Sequence, residues 1–263
     1  MSKTIQEVVD GILAAVPGER LANTVDTFKS GDPAAECAGI VTTFMATLPV
    51  LKRAAELGAN LVITHEPTYY GHRDETPWLE GDRVLDAKRR LIEESGVVIW
   101  RFHDYWHRHR PDGIYTGVAR RLGWSAYQDP ADGRIFNLPR TTVAELARTV
   151  KARLKANVVR VTGRPEMACS RVAFSPGAGG AEGQIKQLAS PDVDVLLVGE
   201  SPEWTTCEYA RDAIAAGLNK ALIMAGHCNS EEAGMEYLAE WLRPRLGDIK
   251  VTFVPAGDPF YAA

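Results

Sequence analysis

Histidines and acids fall just past short apolar runs at three places in this chain. LVIT at 61–64 runs into His65 and Glu66, VVIW at 97–100 is followed by His103 and His107, and ALIMAG at 221–226 leads to His227 and Glu231. Imidazole and carboxylate are donors for divalent metals, and several histidines in one set favour zinc, iron, manganese, cobalt or nickel over magnesium or calcium, which take all-oxygen shells. In an open α/β sheet the carboxyl ends of the strands face a common crevice where ligands bind. Three strand ends with ligand chemistry are therefore read as one metal site holding one or two divalent transition ions per chain.

Each group has its own local logic. Pro67 stops the strand after His65 and Glu66. Neighbours leaving a strand point in different directions, so this pair suits two ions better than chelation of one. The competing reading, His65 bonded to a turn carbonyl and Glu66 solvated, stands beside it. His103 and His107, four apart in RFHDYWHRHR, share a face if the segment is helical. Asp104 is either an acceptor that orients an imidazole or, the reading favoured here, an exposed acid beside Arg101. His109 is expected at the surface. In GHCNSEE, Gly226 turns the backbone, Asn229 or Ser230 is expected to cap a helix, and Glu231 falls in the first turn, where an acid is stabilised whether or not it binds metal.

The elements that position these groups alternate between helix and strand, the pattern of a mostly parallel sheet covered by helices. Helical spacing marks 4–16, LPVLKRAAELG with Gly58 as its stop, 81–95 ending at Gly96, and TTVAELARTVKARLKA with a Thr cap. Strands are expected at 39–44, LVIT, VVIW, NVVRVTG, RVAFS, DVLLVG, ALIMAG and IKVTFV. The Pro-, Asp- and Gly-rich stretch 126–141 reads as a connection. The fold class is thus α/β, with a first lobe at 1–125 and a second at 142–263, the two being separate or intertwined.

A chain of 263 residues with 45% apolar content buries one large core or two small ones. Its net charge of −4 gives no basic stripe for a phosphate backbone, which argues against nucleic acid as the main ligand. The N-terminus lacks the long apolar core of a signal peptide or membrane span, so cytoplasmic residence is expected. Cys37, Cys169, Cys207 and Cys228 occur singly and are expected as reduced thiols.

ANLVITHEP, VVIWRFHDYWH, RVAFSPGAGG, DVLLVGE and above all AGHCNSEEAGMEYLAEWL resemble the Nif-three-like dinuclear-metal-centre family, some members of which bear the name GTP cyclohydrolase type 2. The resemblance spans nearly the whole chain. It implies a two-lobed fold with the metal site between the lobes at strand C-terminal ends, assembled as a homohexameric ring. The metal positions it implies are His65, Glu66, His103, His107, His227 and Glu231. Glu66 stands where the family usually has histidine, and His107 where it usually has aspartate. This reciprocal exchange conserves ligand count and formal charge. Thr206 and Cys207 occupy positions where relatives carry histidine, Glu200 keeps its acidic place, and Phe44 and Met45 stand near a common family aspartate.

SPGAGG at 175–180 lacks the Lys-Ser/Thr ending of a P-loop, so a tight strand-to-helix turn is preferred to an anion cradle. His72, Arg73 and Asp74 form either a substrate-facing or an ordinary polar loop. The function expected is metal-dependent hydrolysis of a small polar, phosphorylated or nucleotide-like substrate by a metal-bound hydroxide, with Glu66 or Glu200 as proton carrier. The alternative is a ring-forming binding or regulatory protein with structural or metal-sensing ions.

Overall fold

Short apolar runs alternating with amphipathic helices produce two five-stranded sheets in the computed structural model, which describes residues 3–263. The chain divides into two units. The first comprises the described residues through Ile114 together with Gly234–Ala256, and the second comprises Tyr115–Ala233 with Gly257–Ala263. In chain order the strands are β1 (Phe28–Ser30), β2 (Ile40–Thr43), β3 (Leu61–Thr64), β4 (Val98–Arg101), β5 (Ile135–Thr142), β6 (Arg160–Thr162), β7 (Ala168–Ser175), β8 (Val195–Val198), β9 (Ala221–Met224) and β10 (Val251–Phe253). The α-helices are α1 (Ile5–Ala14), α2 (Leu48–Glu56), α3 (Arg83–Ser95), α4 (Asp104–Arg108), α5 (Gly113–Leu122), α6 (Val143–Leu154), α7 (Ala181–Ala189), α8 (Glu208–Ala215) and α9 (His227–Leu242).

In the first unit the strand order is β1-β4-β3-β2-β10, with β1 antiparallel to β4 and the rest parallel. All residues of β2, β3 and β4 are buried, as parallel strands covered on both faces must be. Thr43, Thr64 and Arg101 lie in register, so three strands end on one row and His65 and His103 leave the sheet side by side. One face packs Val41, Val62 and Ile99 against Val50, Leu51 and Ala54 of α2 and Ile92 of α3. The helices begin and end on local chemistry: Thr47 and Asp82 accept N-terminal amides of α2 and α3, and Gly96 closes α3 in the left-handed region.

The second unit has the order β5-β7-β8-β9-β6, with β7, β8 and β9 parallel and the two edge strands antiparallel. Ser175, Val198 and Met224 are in register, which brings the SPGAGG turn, Gly199–Glu200 and the start of α9 to one end of the sheet. Its core joins Ala173, Leu196, Val198, Leu222 and Met224 with Leu188 of α7 and Ala210 of α8.

Several expectations change. Residues 135–142, read as part of a connection, are β5 of the second sheet, with an irregularity between Asn137 and Thr141 that accommodates Pro139 at a sheet edge. IKVTFV contributes β10 to the first sheet by pairing with β2, so the C-terminal strand returns to the N-terminal unit. His109 is buried rather than at the surface: its ring packs 5.0 Å from Trp106 and 5.4 Å from Trp241, and its Nδ1 lies 2.7 Å from the Pro111 carbonyl. Asn229 and Ser230 do not cap α9, because the helix already begins at His227; Asn229 instead donates to the Ala225 carbonyl and to Asp258. All four cysteines are unbonded. Among the described residues no helix is long and apolar enough to cross a membrane.

Candidate metal centre

In the first unit, β3 delivers His65 into a turn fixed by Phe44, whose carbonyl accepts from the amides of His65 and Glu66 and from the Thr64 hydroxyl. Arg101, fully buried at the end of β4, braces the same turn. Its Nε donates to the His65 carbonyl at 2.9 Å, Nη1 donates to the His72 carbonyl at 2.6 Å, and Nη2 lies 3.4 Å from Glu66 Oε2. A guanidinium is tolerated without water only when acceptors surround it, and these three oxygens give each of its three nitrogens one. His72 is therefore tied down through its backbone. Asp74 accepts from the Tyr69 amide and pairs with Lys29 at 3.1 Å, which makes the 72–74 loop a braced segment.

One turn of α4 supplies two more imidazoles. Asp26, a buried carboxylate, accepts the amides of His103, Asp104 and Tyr105, all at 2.9 Å, and so anchors the start of that helix. His103 and His107 then stand on one face. The His65 ring centroid lies 4.4 Å from that of His103, stacked, and 5.1 Å from that of His107, edge on. One ring nitrogen from each of the three lies within 4.8 Å of the others. Each Nδ1 faces an oxygen: the Phe102 carbonyl at 3.4 Å for His65, Asp104 Oδ1 at 2.9 Å for His103 and Asp112 Oδ2 at 2.9 Å for His107. An Nδ1–H committed to an acceptor puts the lone pair on Nε2, the tautomer that a cation requires. Burial, reinforced by the neighbouring His103 and His107, holds His65 well below the ordinary imidazole range, so it stays neutral. These residues fit a divalent transition ion by donor type, tautomer and orienting shell. Glu66 joins them at the rim, with Oε1 3.7 Å from His103 Nε2.

Asp104 is thus the orienting acceptor of His103, the role ranked second on sequence. Burial raises its carboxyl, but hydrogen bonds from His103, Thr24 and the Val25 amide outweigh that and leave it below the usual carboxylate range. Asp112 plays the same part for His107 while Oδ1 accepts the Ile114 amide at the start of α5. Asp112→Asn is expected to weaken metal binding about 10- to 100-fold with little change in fold, measured by chelator competition. Equal affinity in the variant would remove Asp112 from the site.

The second unit builds a smaller pair. His227 opens α9 and Glu231 follows one turn later, with His227 Nε2 3.1 Å from Glu231 Oε2. Glu200, on the loop after β8, lies 3.2 Å from His227 Nδ1 and orients it. Ser230 Oγ donates to the His227 carbonyl at 2.8 Å and accepts the Gly177 amide at 2.9 Å, so the SPGAGG turn is fastened to α9. A β-carbon on Gly177 would fall 2.3 Å from Glu231 Oε1 and 3.0 Å from His227 Nε2. That glycine is a cradle for the pair, in a turn that motif reasoning had left without a role. Thr206, at a family histidine position, is fully buried and donates to Gln184, whose amide in turn holds the Glu200 carbonyl. Cys207 packs its sulfur 3.5 Å from that of Met224. Asp26, Arg101, Asp112, Gly177 and Ser230 are the supporting residues that sequence reasoning missed.

Residues 17–259 match the family model Duf34/NIF3 (NGG1p interacting factor 3). The GTP cyclohydrolase 1 type 2 homolog of Clostridium perfringens is 26% identical over 244 residues, covering 88% of this chain and 88% of its own length. The protein of the same name from Escherichia coli strain K12 is 28% identical over 232 residues, covering 84% and 85%. Among solved structures, a Bacillus cereus protein related to NIF3 has a TM-score of 0.78 at 15% identity, covering 100% of this chain and 99% of its own. A Staphylococcus aureus hypothetical protein has a TM-score of 0.77 at 19% identity over 100% of both chains. These two share the fold. The chain belongs to the Duf34/NIF3 family.

Proposed function

We propose that the protein is a metal-dependent hydrolase of a small polar, phosphorylated or nucleotide-like substrate. Its candidate ligands for one or two divalent transition ions per chain are His65, Glu66, His103 and His107 in the first unit and, separately, His227 and Glu231 in the second. The observation that carries this reading is the cluster of three imidazoles, each with Nδ1 against an oxygen. A divalent ion bound there supplies Lewis-acid charge and lowers the pKa of water toward neutrality. The protein's own residues do the rest. Asp104 and Asp112 orient imidazoles, Arg101 fixes the turn that carries His65, and Glu66, at the rim, serves as proton carrier where it is not itself a metal ligand. Glu200 orients His227, is half exposed, and is the second candidate proton carrier.

The names of the curated relatives point to a guanine nucleotide as one substrate to test. The family resemblance supports a homohexameric ring. The test is turnover of a panel of phosphoesters and nucleotides, GTP included, by metal-stripped protein with and without zinc, manganese or iron. Metal-dependent turnover that is lost in His65→Ala is the expected result. Metal binding without turnover on the whole panel would overturn the hydrolase in favour of a binding or regulatory ring.

A further inference from the structure

We propose that the first unit by itself holds one tightly bound cation on His65, His103 and His107, and that this position selects zinc, cobalt or nickel over manganese and magnesium. The inference rests on the metal reading above and goes beyond it in fixing which ion binds and which residues suffice.

Three observations support it. The donor set is three imidazoles whose rings pack within 4.4–5.1 Å of one another. Nitrogen donors favour the later divalent ions, whereas manganese and magnesium gain most from carboxylate oxygen. Position 107 is decisive, since an aspartate there would turn the set into two nitrogens and one oxygen. This chain places imidazole at 107 and moves the carboxylate outward to Asp112, 2.9 Å behind His107 Nδ1.

The Glu66 carboxylate is already engaged. Glu66 Oε2 lies 3.4 Å from Arg101 Nη2, and Arg101 is fully buried and bonded to the His65 and His72 carbonyls. Drawing Glu66 wholly onto an ion would leave a buried guanidinium without its counter-charge, which is strongly unfavourable. Three protein ligands around a divalent ion leave a coordination position for water, the arrangement of catalytic rather than structural sites. His227 and Glu231 are not needed for this ion.

The experiment is titration of metal-stripped, full-length protein with cobalt, zinc and manganese in competition with a chelator, with visible absorption of the cobalt form as an independent readout. Wild type is expected to take about one tight equivalent of cobalt or zinc, and His227→Ala and Glu231→Gln are expected to retain it with an unchanged cobalt spectrum. H107D is expected to lose roughly tenfold or more in zinc affinity while manganese affinity holds or rises. H103Q provides a second loss of one nitrogen that adds no charge, and far-UV circular dichroism checks the fold of both. Loss of the tight equivalent in His227→Ala, or a preference of wild type for manganese, would overturn the inference. Neither outcome touches the hydrolase reading, which turnover of the loaded wild type decides separately. Absence of any tight metal in wild type would overturn both.

Discussion

Asp26→Ala is expected to cost about 3–5 kcal/mol of stability and to release His103 from the metal cluster. The carboxylate is buried and accepts three backbone amides at the start of α4. Removing it leaves three amides without their acceptor, that of Tyr105 buried and those of His103 and Asp104 part-buried, at roughly 1–3 kcal/mol for a buried group left unmatched and less for the others. A lower urea midpoint together with weaker binding of a single metal equivalent is the expected pair of results. Lowered stability with undiminished metal affinity would show that α4 reaches its position without this anchor. Asp26→Asn separates the hydrogen bonds from the charge. Burial raises the Asp26 carboxyl above its ordinary value against the lowering effect of the three amides. Folding therefore favours the protonated form: this group's contribution is fully present below the unfolded value and is lost as pH rises through the folded one. The asparagine variant, which does not titrate, is expected to show a flatter stability–pH profile in the acid range than wild type.

The sequence made visible what is encoded locally. LVIT, VVIW and ALIM are apolar on both faces and became central parallel strands, and the ligands just beyond them appeared where strand ends face out. The cap at Thr142 and the stop at Gly96 were equally legible, because each satisfies backbone groups a few residues away, whereas the caps at Thr47 and Asp82 were not read. The supporting residues are encoded at long range and left no local pattern. Asp26 meets His103 across 77 positions, and Arg101 meets His65 across 36. His109 sits in a run of charge that reads as solvated, and only the aromatic rings of Trp106 and Trp241 bury it. In β5 the alternation of Ile135, Phe136, Asn137 and Leu138 was present, but Pro139 argued against a strand. That argument holds for central strands and fails at a sheet edge, where a missing donor costs little.

Gly177→Ala is expected to destabilise the second unit by about 2–5 kcal/mol and to disrupt the His227–Glu231 pair. Two costs combine. The residue has φ +59°, where a β-carbon adds roughly 1–2 kcal/mol. The new methyl group also overlaps Glu231 Oε1 at 2.3 Å, and forcing an extra carbon into packed surroundings costs about 1–3 kcal/mol. Gly180→Ala supplies the control, since Gly180 also has positive φ, +76°, but its β-carbon would meet nothing within 4 Å. The control is expected to lose only the backbone portion and to keep the second unit's contribution to metal binding. Urea denaturation gives the first quantity, and metal stoichiometry at saturating ion gives the second. Identical losses in both variants would mean that Glu231 and His227 shift aside without consequence, and that Gly177 serves the turn alone. A lower metal stoichiometry in Gly177→Ala, with the three-imidazole position still filled, would show that the glycine turn holds the second unit's ligands in place.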